Sequence, residues 1–527
     1  MRISSIVLPG PSQKNPLVVV GVIGVIGLLA YELAQYVIAG DFVGLSYIGL
    51  AVMVGAAMLT MLNNWRAGTF IFFGWLFFED FARKYLGNNM AIYFGKDFLV
   101  AIVYLSFFIA YRRKQAKIFR PPFLIPLLLF VWFGVIQVFN PASTSFFFGI
   151  LGLKLYFYYI PLLFIGYSMI RTEEDLRRFY PFLMVLTIIV AGLGIAQAIL
   201  GHTFLNPAVM QAEIRELSSN YRVAPISGVI VYRPTSVFVS AGRFAFFLVP
   251  AFLFAFGYGG YLLLRSKERR LLTLLAVAVT TSAIALCASR GTVLWTLGSI
   301  LVCIPAFLWG CPWQKGQLVR VFRGFQRAAL AGVAALLLTS LFYPDALKNR
   351  LSFYWETLDP TSANSELVHR TQTYPLQQLG YAFDYPRWPY GYGIGTASLG
   401  TQYIGRILHT PGLAIGVESG FGALVLELGI VGLLLYLISA SAIVISAWSA
   451  AVKLKGTPWF PIGFVIFWYT FLFLFPYVWG GFQSFEDFIL NSLLWFSLGI
   501  LFRLPSLPLN AKNLPTMQQQ TPNHRLA

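Results

Sequence analysis

Ten cations between residues 201 and 417 stand out by type and place. Arg215, Arg222, Arg233, Arg243, Arg290, Arg350, Arg370, Arg387 and Arg406, with Lys348 as the lone lysine, sit in polar loops and at the ends of apolar runs between residues 201 and 417. A guanidinium is a rigid, permanently charged fork that matches two phosphate oxygens, whereas an ammonium is a point charge. So strong a preference for arginine reads as recognition of phosphate or another oxyanion. The plainer alternative is pairing with Glu213, Glu216, Glu356, Asp359, Glu366 and Asp384, or with lipid headgroups. Three positions are the most informative. Arg233 lies in Tyr232-Arg233-Pro234-Thr235-Ser236, just before an apolar run. Arg243 lies inside that run, and Arg290 lies between two runs in Ala288-Ser289-Arg290-Gly291. A cation inside an apolar span is costly and is usually functional or paired.

Other charges within apolar runs are Glu32, Glu427 and Lys154. Lys154 either snorkels to a polar boundary or pairs with an acid. The three cysteines, Cys287, Cys303 and Cys311, are odd in number and lack CxxC spacing, which argues against a disulfide framework or a metal site.

The elements that must position these residues are membrane helices. Of the 527 residues, 58% are hydrophobic and only 11% charged, and mean hydropathy is +0.71. That excludes a soluble globular chain and a disordered one. About 14 spans (range about 12–14) are expected. They fall near residues 17–38, 43–62, 67–78 (short), 90–111, 122–139, 146–170, 180–200, 237–262, 271–288, 292–310, 328–343, 419–450, 459–478 and 487–502. The alternating strands of an outer-membrane barrel are not found.

The net charge of +18 is explained by basic loops that set orientation. Residues 112–120, 265–270 and 315–327 are basic, and putting them inside makes both termini cytoplasmic. The chain then divides into N-terminal helices (1–200), an outer loop (201–236), central helices (237–343), a large outer loop (344–417), C-terminal helices (418–503) and a disordered cytoplasmic tail (504–527). Residues 365–378 are expected to form a short interfacial helix.

Four signals then occur in order. They are Tyr232-Arg233-Pro234-Thr235-Ser236, Ala288-Ser289-Arg290-Gly291, His369-Arg370 followed by Gly391-Tyr392-Gly393-Ile394-Gly395, and Glu418-Ser419-Gly420 leading to Glu427-Leu428-Gly429. Together, over about residues 225–435, they resemble the O-antigen ligase and polymerase superfamily (WaaL/Wzy-like).

The resemblance implies a GT-C-like fold in the bacterial inner membrane. It implies a periplasmic-face glycosyltransferase of surface polysaccharide (O-antigen or exopolysaccharide) biosynthesis. The donor would be a glycan on an undecaprenyl pyrophosphate carrier and the acceptor another sugar. No metal and no cofactor are expected, and no nucleic acid partner; membrane lipids and other polysaccharide-assembly proteins are.

Breaking the sugar–pyrophosphate bond builds charge that fixed guanidinium groups can stabilise. The donor set is Arg233, Arg243, Arg290 and Arg370, with Arg233 and Arg290 also catalytic. The acceptor hydroxyl needs a base. Where many members carry His-Asn, this chain carries Glu418-Ser419. That departs from the ligase pattern and makes Glu418 the candidate base, the alternative being an acid that complements a helix dipole. His369, His409, Arg350 and Tyr392 are secondary candidates. Tyr374, Tyr381, Tyr385, Trp388, Tyr390 and Tyr392 either stack on sugar rings or form an interfacial belt. The competing function is a transporter or flippase of lipid-linked glycans that performs no chemistry.

Overall fold

The computed structural model describes residues 54–87, 90–207, 212–265, 270–313, 344–359, 373–398, 417–481 and 484–507, with isolated positions between them. The helices are α1 (Val54–Asn63), α2 (Trp65–Leu86), α3 (Met90–Arg112), α4 (Leu124–Gln137), α5 (Phe146–Phe157), α6 (Leu162–Met169), α7 (Glu173–Leu200) and α8 (Ala212–Ser218). A two-stranded antiparallel hairpin follows, β1 (Tyr221–Val223) and β2 (Ile230–Tyr232), with Tyr221 opposite Tyr232. Then come α9 (Ala241–Arg265), α10 (Arg270–Leu286), α11 (Arg290–Gly310), α12 (Pro344–Leu358), α13 (Tyr374–Phe383), α14 (Gly420–Val452), α15 (Phe460–Leu474), α16 (Pro476–Trp479) and α17 (Phe488–Arg503).

Among the described residues, eight helical stretches are long and apolar enough to cross a membrane: α3, α5 with α6, α7, α9, α11, α14, α15 with α16, and α17. Three shorter apolar helices, α1, α4 and α10, add to them. The chain is therefore an all-α, multi-pass membrane protein. The expected spans at 17–38 and 328–343, part of that at 43–62, and the tail beyond residue 507 lie largely outside the described residues.

One expected boundary is corrected. The short run at 67–78 is the first part of a 22-residue helix, α2. The Asn64 side chain starts it by accepting from the backbone N–H groups of Arg66 and Ala67. Arg83 and Lys84 in its last turn complement the helix dipole. Hydropathy alone ends the run at Phe78, because Glu79 and Asp80 follow. The helix continues because both acids are buried and paired.

Close approach of backbones supplies much of the packing. Lipid gives no hydrophobic drive between helices, so small residues at crossings matter. At the crossing of α6 and α17, a Cβ on Gly166 would stand 2.0 Å from the Phe496 carbonyl oxygen, and one on Gly499 2.1 Å from that of Leu163. Elsewhere α9 packs on α10 and α15, α2 on α3, and α14 on α4 and α15.

At one end of the bundle, the hairpin and α12 form a small outer layer. Ala224, Val231, Ala288 and Phe353 are its buried core. The Glu356 carboxylate ties α12 to the hairpin turn, accepting from the backbone N–H groups of Ile226 (2.9 Å) and Ser227 (3.0 Å).

Candidate functional site

Arg233 follows β2 directly. Its backbone N–H donates to the Asn220 carbonyl at 3.0 Å, extending the hairpin by one bond. Its side-chain Nε is buried with no hydrogen-bond partner among the described residues. Arg222 on β1 and Arg290 at the start of α11 lie close enough to act on it electrostatically. Burial first, and then these like charges, push the Arg233 guanidinium down to about 10. Arg222 and two of the expected donor residues, Arg233 and Arg290, thus lie in one neighbourhood. The Arg290 guanidinium also lies 5.4 Å from the Phe353 ring centroid, which sets its direction.

Arg350 sits beneath this locus and is buried. It donates to three carbonyls: Leu286 at 2.8 Å, Ala198 at 3.1 Å and Tyr232 at 3.3 Å. Those carbonyls belong to the end of α10, the last turns of α7 and the end of β2. Burial pushes the Arg350 guanidinium down. The structure thus uses Arg350, expected as a secondary substrate residue, to join three segments of backbone.

Arg243 is committed differently again. Its Nη1 lies 2.8 Å from Asp80 on α2, and Arg83 lies 3.0 Å from the other oxygen of the same carboxylate. Asp80 also accepts from the Val239 N–H at 3.3 Å. Next to this pair, Lys96 bridges to Glu79 at 2.8 Å and Lys154 to Asp97 at 2.5 Å. The four cations Arg83, Lys96, Lys154 and Arg243 surround the rings of Tyr93 and Phe488. Lys154 is therefore paired with an acid, one of its two expected fates.

Sequence reasoning missed Glu79, Asp80, Asp97, Lys84 and Lys96. The signal was present: Glu79-Asp80 and Arg83-Lys84 are one helical turn apart, and Lys96-Asp97 lies in the second turn of the next helix. Spacing of this kind places acid and base on one face of a helix, as in the Asp80–Arg83 pair.

Glu418 lies just before α14, whose N-cap is Ser419. The carboxylate is exposed and accepts from the Tyr374 hydroxyl of α13. The Glu418 N–H donates to the Gln378 side chain at 2.9 Å. α13 spans Tyr374–Phe383 and overlaps the end of the expected interfacial helix at 365–378, whose earlier part lies outside the described residues.

Deeper in α14 the helix breaks at Gly429, where φ is +70° and ψ is −176°. The segment 389–398 docks into the break. Tyr392 N–H donates to Leu426 O at 2.7 Å, Gly393 N–H to Glu427 O at 3.0 Å, and Ile430 N–H to Pro389 O at 3.3 Å. Backbone groups freed within a membrane must find partners, and here each strand of chain satisfies the other. Gln137 and Asn140 of the α4 end donate to the carbonyls of Tyr390 and Gly391. The buried Glu427 carboxylate accepts from the Tyr156 hydroxyl (2.7 Å), the Ser398 hydroxyl (2.9 Å) and the Ala397 N–H (2.9 Å). Glu427 lies seven residues into α14, so the segment enters about 10 Å below the helix start. The glycine run is thus a re-entrant loop. Its Tyr392 holds the break through the backbone, while Tyr390 is exposed.

His369 and Arg370 lie outside the described residues. His409 is exposed and has a left-handed backbone, φ +51°. Comparisons with protein families, with curated proteins and with solved structures found no match.

Proposed function

We propose that the loop-covered end of the bundle faces outward and binds the pyrophosphate of a lipid-linked glycan, which the protein transfers to an acceptor sugar. The observation that carries this reading is Arg233. It is a half-buried cation, its Nε is buried with no hydrogen-bond partner among the described residues, and two more arginines lie close enough to act on it. An oxyanion of high charge relieves all three strains at once, by neutralisation, by accepting the free N–H and by bridging the forks. In the transfer step the bond from the anomeric carbon to the pyrophosphate oxygen breaks. Its electron pair stays on the leaving pyrophosphate, where the arginines stabilise it. The acceptor oxygen bonds to the anomeric carbon, and its proton passes to Glu418.

The re-entrant loop supports the same reading, since it carries Trp388 and Tyr390 into the break of α14, beside Ile430 and below the end where Glu418 stands. Irregular backbone at membrane depth is kept where it lines a site or is buried in protein.

The test is to purify the protein, offer an undecaprenyl-pyrophosphate-linked oligosaccharide with an acceptor glycan, and assay released undecaprenyl pyrophosphate beside donor affinity. Wild type should release it without added metal. Glu418→Gln should keep donor affinity and lose about 10²–10⁴-fold in turnover. Donor binding with no release in wild type would favour a flippase without chemistry. Near-normal turnover in Glu418→Gln would remove Glu418 from the mechanism.

A further inference from the structure

The segment that carries Arg233 is held at both ends by buried polar side chains. On its N-terminal side, Arg350 donates to Tyr232 O, and Arg233 N–H is fixed on Asn220. On its C-terminal side, Lys84 of α2 donates to the Thr235 hydroxyl at 2.8 Å and to Ser236 O at 2.7 Å. Gln197 of α7 accepts from the backbone N–H groups of Thr235 (2.8 Å) and Ser236 (2.7 Å). The Ser236 hydroxyl donates to Val190 O at 2.6 Å.

Ser236 needs this support. Its φ is +52°, a left-handed conformation that a residue with a Cβ adopts only when its surroundings impose it. Lys84, Gln197, Thr235 and Ser236 are all buried, the last three completely. A lysine ammonium taken out of water and spent on a hydroxyl and a carbonyl is an expensive way to hold a turn. The cost is intelligible if the turn has to place something accurately.

We propose that Lys84 and Gln197 are positioning residues for Arg233: they lock the Thr235–Ser236 turn so that the guanidinium two residues earlier is presented, pre-organised, to a phosphate-type anion. This rests on the reading of Arg233 as an anion donor. Lys84 lies on the helix whose Asp80 holds Val239 and Arg243. One helix end therefore fixes the chain on both sides of the start of α9. Pre-organisation of a donor lowers the ordering cost of binding, so its loss weakens affinity without removing any contact to the ligand.

The experiment reads Arg233 directly. Full-length protein in lipid nanodiscs is treated with phenylglyoxal, which modifies accessible arginines, and the extent of modification at Arg233 is followed by mass spectrometry. Inorganic pyrophosphate is titrated as the probe. In wild type, pyrophosphate should protect Arg233 in a saturable way. Lys84→Met should shift the half-protecting concentration upward by about tenfold, the worth of roughly one ordering hydrogen bond. Gln197→Leu changes no charge and should shift it in the same direction, which separates ordering from the loss of a distant cation. Both variants are screened by thermal unfolding, and the folded charge-neutral variant, Gln197→Leu or the milder Gln197→Met, decides the matter.

Lack of protection in wild type overturns the anion reading itself. Protection in wild type that is unchanged in folded Lys84→Met or Gln197→Leu overturns the positioning role and leaves the anion reading standing. A shift in Lys84→Met alone, with Gln197→Leu like wild type, also overturns it, because charge rather than placement then explains the effect.

Discussion

Asp80 shows how one residue decides the fate of several. It is buried and faces Arg83, Arg243 and the Val239 N–H. Removing one partner of a buried ion pair leaves an uncompensated charge, which costs about 3–5 kcal/mol. Asp80→Asn should therefore lower stability by roughly that amount, read as a fall in the thermal unfolding temperature. Adding Arg243→Met to Asp80→Asn should cost less than the sum of the single changes, because the second change removes a charge already stranded. Strict additivity would mean that the pair does not interact. The same geometry bears on Arg243 as a donor of pyrophosphate contacts. One face of its guanidinium is taken by Asp80, so it contributes to the site mainly by fixing the start of α9. Sequence alone could not separate these arginines. Arg233, Arg243 and Arg350 look alike in a list, and only their partners distinguish an open cation from an ion pair and from a clamp on carbonyls.

At the scale of elements, the break in α14 and the loop that fills it form one unit. A methyl group at Gly429 would meet Pro389 O at 2.5 Å and force an L-residue into a left-handed conformation. Gly429→Ala should displace the re-entrant segment at a cost of about 2 kcal/mol or more. The displacement is visible as faster maleimide labelling of a cysteine introduced as Tyr392→Cys. An unchanged labelling rate would show that the loop does not depend on the break.

The outer hairpin gives a pH-dependent counterpart. The Ser227 hydroxyl and the N–H groups of Ser227 and Ile226 bind the Glu356 carboxylate and hold it below its usual range. A carboxyl depressed in the folded state contributes fully above its unfolded pKa. That contribution is lost as pH falls through the folded value. Amide protection at Ile226 and Ser227, corrected for intrinsic exchange, should be intact at neutral pH and fall in acid. Glu356→Ala should lack it already at neutral pH.

Much of this element structure was legible. Long apolar runs announced the spans, and the glycines at 391, 393 and 395 have the composition of a sharp loop. The docking of that loop was not, because Tyr392 pairs with Leu426 and Glu427 with Tyr156, contacts far apart in sequence. Nor was α2 legible in full, because its charges look like the end of a helix until their partners on α3 and α9 are known.

For the whole molecule, the contacts place the hairpin, α12, Arg233, Arg290 and the charged end of α2 at one end of the bundle. The chain direction of α9 and α3 puts Arg265 and Arg112 at the other. The sequence assigns the second end to the cytoplasm by its lysines and arginines, which set orientation in short loops. The two assignments make one prediction. A single cysteine at Ile226, on the exposed hairpin turn, and one at Lys114, on the exposed loop after α3, should react with a membrane-impermeant maleimide from opposite sides. The native Cys287, Cys303 and Cys311 are all buried, so they give little background. In spheroplasts the Ile226→Cys protein should label at once, and the Lys114→Cys protein only after the membrane is permeabilised. The reverse pattern would turn the arginine locus toward the cytoplasm. A donor there would have to be met before it crosses the membrane, and the outer-face transferase would fall. Labelling of both positions from one side would break the geometry itself. The chain from α4 to α7 between the two positions would then have to cross the membrane an even number of times, where α4, α5 with α6, and α7 make three crossings.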